Sequence, residues 1–91
     1  MADKTCYIIA FDLPVASKLR PKLVEAIKAY GGWAKITMNT WAIKSEVSPA
    51  QIRDELRSIA GLQSRIFVLK SGYSAAWANV FCRGEWLKRN L

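Results

Sequence analysis

The chain contains no histidine, which excludes an imidazole general base, a histidine-based hydrolase triad and most transition-metal centres. Its two cysteines, Cys6 and Cys82, are too few for a disulfide framework or a four-ligand zinc site. With no histidine to activate them they read as small buried hydrophobes. No apolar run approaches the roughly 20 residues needed to cross a bilayer. The opening Met1-Ala2-Asp3-Lys4-Thr5 also lacks a signal-peptide pattern. The expectation is a reduced, cytoplasmic protein with no membrane partner. Acids are scarce: Asp and Glu total 7 against 14 Lys and Arg, a formal charge of +7. Such a balance favours an anionic partner, RNA or DNA foremost, although solubility alone also rewards net charge. No small-molecule substrate is indicated. Internal repeats, linkers and low-complexity tracts are likewise missing.

What is present is apolar surface. Hydrophobic residues make up 52% of 91, four of them Trp, which is more than so short a chain hides easily. Part of it is expected to face a partner. The run Tyr7-Ile8-Ile9-Ala10-Phe11 carries no charge and does not alternate, as befits a central strand buried on both faces. Asp12 then ends the run, and Pro14 stops further pairing. Residues 18–30 predict an amphipathic helix with Leu19, Leu23, Ala26, Ile27 and Tyr30 inward. Ser17 is its nearest capping side chain, and Gly31-Gly32 form its left-handed end.

Residues 33–44 are aromatic and β-branched and read as two strands reversing near Asn39-Thr40, or as one bent strand. Ser48-Pro49-Ala50-Gln51 marks the start of a second helix, with Ile52, Leu56, Ile59 and Ala60 buried and Gly61 ending it. Residues 64–70 follow as a fourth strand. The order strand, helix, strand, strand, helix, strand predicts an α+β fold, the ferredoxin-like βαββαβ plait. Its antiparallel four-stranded sheet carries two helices on one face. Residues 1–70 would form the plait, with the last strand on an edge beside the first. An edge so apolar needs covering. The aromatic-rich extension 71–91 is the expected cover, through a short helix at 74–81 capped by Ser74 and another turn after Gly84. Its Trp77, Phe81 and Trp86 would pack on their own sheet or on a second copy.

Tyr7-Ile8-Ile9-Ala10-Phe11-Asp12-Leu13, Ala29-Tyr30-Gly31 and Asn39-Thr40-Trp41 together resemble the small CRISPR-associated endoribonucleases of the spacer-acquisition machinery. With Ala75-Ala76-Trp77 and Trp86-Leu87-Lys88 they also resemble the SinR-like bacterial proteins, and more distantly the virulence-associated protein D toxins. The resemblance implies a ferredoxin-like homodimer in which two copies of Asp12 approach across the two-fold axis and share a divalent metal such as Mg²⁺. The activity implied is metal-dependent phosphodiester hydrolysis. The chain departs from the nuclease pattern in the loop Pro14-Val15-Ala16-Ser17, which has no further acid, and at Ile43-Lys44, where an acid is usual.

Asp12 is thus the candidate catalytic and metal-binding residue, since a hard cation takes oxygen ligands and two carboxylates can hold it. A strand-end Asp also commonly starts a loop by accepting backbone N–H groups. Without chemistry, Lys18, Arg20, Lys22 and Lys28 on the first helix, with Lys35 and Lys44 on the hairpin, are candidates for phosphate contact; the same residues also suit a solvated face. The alternating aromatics of an RNA-recognition motif are missing from the first and fourth strands. Trp33 and Trp41 fit either a dimer interface or the core.

Overall fold

The computed structural model describes residues 4–91 apart from 15 and 73; the opening three residues and Val15 of the first connection lie outside that description. Strands β1 (Thr5–Phe11), β2 (Ala34–Thr37), β3 (Thr40–Ser45) and β4 (Ile66–Lys70) alternate with helices α1 (Arg20–Ala29) and α2 (Pro49–Ala60), and α3 (Gly84–Asn90) follows. The fold is α+β, with one antiparallel sheet in the order β2-β3-β1-β4. The apolar run at Tyr7 is therefore a central strand, as its lack of alternation implies. Ile9 lies opposite Trp41 of β3 and Val68 of β4.

Strand alternation sorts the side chains onto two faces. Tyr7, Ile9 and Phe11 join Trp41 and Ile43 against Leu23 and Ile27 of α1 and Ile52 and Leu56 of α2 in the larger core. On the opposite face Cys6, Ala34 and Ala42 form a second cluster, against which Ile8, Ile36, Cys82, Trp86 and Leu91 pack. The extension thus lies on its own sheet, and Leu87 of α3 is among the fully buried side chains.

Helix α2 starts and stops where its signals stand. The Ser48 hydroxyl accepts the Gln51 N–H at 3.2 Å, Pro49 opens the helix, and Gly61 leaves it at φ 105°. Helix α1 begins two residues later than its apolar spacing implies, because Leu19 occupies the cap. Ser17 stands outside it, its hydroxyl accepting the Leu19 N–H. Its exit needs both glycines in the left-handed region, Gly31 at φ 84° and Gly32 at φ 52°. Gly32 is doubly constrained, since a Cβ there would meet the Lys44 side chain at 2.9 Å.

Two elements differ from the sequence reading. The hairpin turn is Met38-Asn39, one residue earlier than predicted, and neither residue takes the positive φ of a favoured two-residue turn. It is held from outside, by the Phe11 N–H on the Asn39 carbonyl and by the Arg20 guanidinium. The helix expected at 74–81 does not form among the described residues. Asn79 turns left-handed at φ 57°, and the Phe81 N–H donates to the Ile36 carbonyl of β2 at 3.0 Å. The segment thus satisfies one backbone carbonyl at the sheet edge, and helix begins only at Gly84.

Candidate nucleic-acid interface

Asp12 is the first residue beyond β1. Its N–H donates to the Arg65 carbonyl at 3.1 Å, and its carboxylate accepts from the Arg65 guanidinium at 3.2 Å. Both side chains are largely in solvent, 64% and 84% exposed, so the pair contributes at most about 1 kcal/mol. It borders an open groove of about 550 Å³ lined also by Ala10, Ser64 and Phe67. Nothing local foretells this pairing, because the partners are 53 residues apart. The loop-starting alternative takes a different form here, since a side-chain cation rather than backbone N–H groups holds the carboxylate among the described residues.

One carboxylate already engaged by a guanidinium is not a metal-ligand set. No group of three or more potential ligands gathers among the described residues. At Asp12 the described residues of one chain gather no such ligand set, so Mg²⁺ there would need the carboxylate of a second copy.

The six basic candidates have unlike surroundings. Arg20 is 7% exposed and spends its donors inside the protein. They reach the Leu13 carbonyl at 2.9 Å, the Asn39 side-chain oxygen at 2.7 Å and the Met38 carbonyl, while the guanidinium lies 5.3 Å from the Phe11 ring centre. The cause is plain: a planar cation with five donors suits two acceptors on the Met38-Asn39 turn and a third on the loop after β1. Arg20 ties the loop after β1 to the β2–β3 turn and has little left for phosphate.

Lys28 and Lys35 converge. The Lys28 ammonium lies 4.6 Å from the Trp33 ring centre and 5.9 Å from that of Trp41. Lys35 lies 5.9 Å from Trp41 and 5.0 Å from Phe81. Trp33 and Trp41 stand 5.6 Å apart at a tilt, and their fates divide: Trp41 is core, whereas Trp33 remains 43% exposed. The buried Trp41 indole N–H finds no acceptor among the described residues. Phe81, 65% exposed, completes this cluster. Sequence reading paired the two tryptophans but grouped Phe81 with Trp77 and Trp86 as a packing residue, because its link to β2 is a tertiary contact.

Lys44 belongs to the other sheet face by alternation and lines a groove with Lys4, Cys6 and Lys70. Burial pushes the Cys6 thiol above its ordinary value, against the opposing effects of nearby Lys44 and a hydrogen bond with Ser71, which suits an inert packing residue. Lys18 and Lys22 are exposed at the start of α1. At its far end burial raises the Tyr30 phenol, reinforced by the hydrogen bond it donates to Glu55 of α2. No described helix is long and apolar enough to cross a membrane. Compared with protein-family models, curated proteins and solved structures, the chain matches none.

Proposed function

We propose that this chain is a nucleic-acid-binding protein without catalytic chemistry of its own, a homodimer built on a ferredoxin-like plait with an added C-terminal cover. The observation that supports binding is the condition of its cations. Among the described residues only Arg53–Asp54 and Arg65–Asp12 form ion pairs, so Lys18, Lys22, Lys28, Lys35 and Lys44 carry charge that no paired carboxylate offsets. The plait reading draws on sheet order, with β1 and β2 parallel about β3, and β3 and β4 parallel about β1; α3 stands outside it. Kinship with the SinR-like proteins belongs to the same proposal and rests on the motif residues quoted above. The homodimer draws on β4, whose only strand partner among the described residues is β1 and which leaves Phe67 60% exposed.

Titration of a labelled oligonucleotide at increasing salt is the test. Four phosphate contacts predict that affinity falls about 10²-fold for a roughly fourfold rise in salt. A flat response overturns the reading.

A second reading, the metal-dependent nuclease, is favoured by the exposure of Asp12 beside an open groove. The two assemblies compete. A symmetric antiparallel β4–β4 ladder centred on Val68 would carry the two copies of Asp12 to opposite ends, about six residues at ~3.3 Å each, roughly 20 Å, apart along the strands, with about three strand spacings of ~4.8 Å between them sideways. They could not share one ion across that span. The nuclease therefore needs a different two-fold contact, one that leaves the β4 edge open. Loss of a Mg²⁺-dependent cleavage in Asp12→Asn would favour it.

A further inference from the structure

We infer that Trp33 and Phe81, with Lys28, Lys35 and Arg83, form a stacking site for single-stranded nucleic acid along the outer edge of β2. The inference rests on the nucleic-acid reading and names which form is bound there and by which rings. Two large aromatic rings standing in solvent on the same strand edge need a reason, because water is an unfavourable place for them. Neither ring is on a loose segment. Trp33 directly precedes β2, and the Phe81 backbone is hydrogen-bonded to Ile36 of β2 at 3.0 Å. Between the rings lies a groove of about 230 Å³ lined by Trp33, Lys35, Phe81, Arg83 and Trp86.

Charge decides the occupant. Ammonium groups lie 4.6 Å from the Trp33 ring centre and 5.0 Å from that of Phe81. Neither Lys28, Lys35 nor Arg83 pairs with a carboxylate among the described residues. Aromatic faces bordered by unneutralised cations match a chain of alternating bases and phosphates: a base stacks on the ring while the flexible lysine moves onto the adjoining phosphate. A duplex cannot use such rings, because its base faces are already stacked on one another. The binding edge is also not the open sheet face used by RNA-recognition motifs, which here lies partly under Trp86 and Leu91.

The test measures anisotropy of a labelled oligothymidylate and of a mixed-sequence duplex of equal length with the full chain and with Trp33→Ala, Phe81→Ala and Phe81→Leu. Each alanine is expected to weaken single-strand binding about tenfold and duplex binding less than about twofold. Phe81→Leu keeps apolar bulk but not the aromatic face, so it should lose as much as the alanine. Trp33→Phe should recover most of the affinity. Thermal melting accompanies each variant, and since the leucine variant preserves packing it decides the matter if an alanine variant unfolds. Single-strand affinity unchanged by Phe81→Leu, or an equal loss on strand and duplex, overturns the stacking site and leaves the wider reading standing. Failure of the unaltered protein to bind either oligonucleotide overturns both.

Discussion

The two edges of the sheet are opposites. At β2 the chain's own extension returns to the strand, with Phe81 hydrogen-bonded to Ile36, and the surface beyond is aromatic and cationic. At β4 no described segment pairs with the outer side, and of its three exposed residues Phe67 and Leu69 are apolar and only the last, Lys70, is charged. The extension, expected to cover the apolar edge with its aromatics on the open face of its own sheet or on a second copy, takes the first of those places and also runs along the basic edge, while the outer side of β4 has no described cover. A strand edge can be protected either by charge or by a partner. The β2 edge has charge and backbone cover; the β4 edge has charge only toward its ends, at Lys70 and the neighbouring Arg65, and no backbone cover from a described segment, and so is the edge on which a second copy is expected.

The largest effect should come from a residue that ties the β2 side of the sheet to its centre. Arg20 holds the β2–β3 turn to the loop between β1 and α1, and Arg20→Met would leave three acceptors without their cation. Hydrogen bonds to charged groups are worth about 1.5–3 kcal/mol each and are not additive, so a loss of about 3 kcal/mol in urea unfolding is expected. An unchanged midpoint would show that the turn holds itself. The folded variant should still bind nucleic acid within about twofold of the parent, since this guanidinium faces inward.

Next in size is the β4 edge. Phe67→Lys places a charge on the exposed apolar strand and should dissociate the dimer, weakening it at least about tenfold. Light scattering would then give the 10.2 kDa of one chain where the parent gives twice that. Single-strand affinity per chain should hold, because the rings lie on the opposite edge. If the parent is itself a monomer, or if Phe67→Lys abolishes binding while leaving the mass unchanged, the contrast between the edges fails.

Most of the architecture was legible because local chemistry and tertiary position agree. The uncharged run at Tyr7 could only be central, and Ser48, Pro49 and Gly61 bound α2 by groups within the helix itself. What escaped depends on distant residues. The Met38-Asn39 turn has no residue at positive φ, and Arg20 supplies holding bonds from nearly twenty positions away. Residues 74–81 carry a helical composition, yet a backbone bond to β2 outweighs that preference. The candidate site divides the same way. Lysines 28 and 35 were named for their charge, but the partnership with Phe81, and that of Asp12 with Arg65, arise only when strands remote in sequence become neighbours.

Asp12→Asn carries the smallest expected effect and says the most about the β4 edge. Its carboxylate holds one exposed guanidinium at 3.2 Å, and its backbone N–H, which the substitution retains, donates to Arg65. Asparagine can still accept the guanidinium bond, so thermal melting should change by less than about 1 kcal/mol equivalent. Removing a negative charge from a protein of charge +7 should leave nucleic-acid affinity equal or slightly higher. A marked fall in affinity would mean that the carboxylate positions Arg65 for a phosphate, extending the binding surface to the edge assigned here to a second copy. Loss of a Mg²⁺-dependent cleavage, with the fold intact, would instead require two Asp12 carboxylates to meet. The dimer could then not be the β4 ladder, because that ladder holds them at its opposite ends.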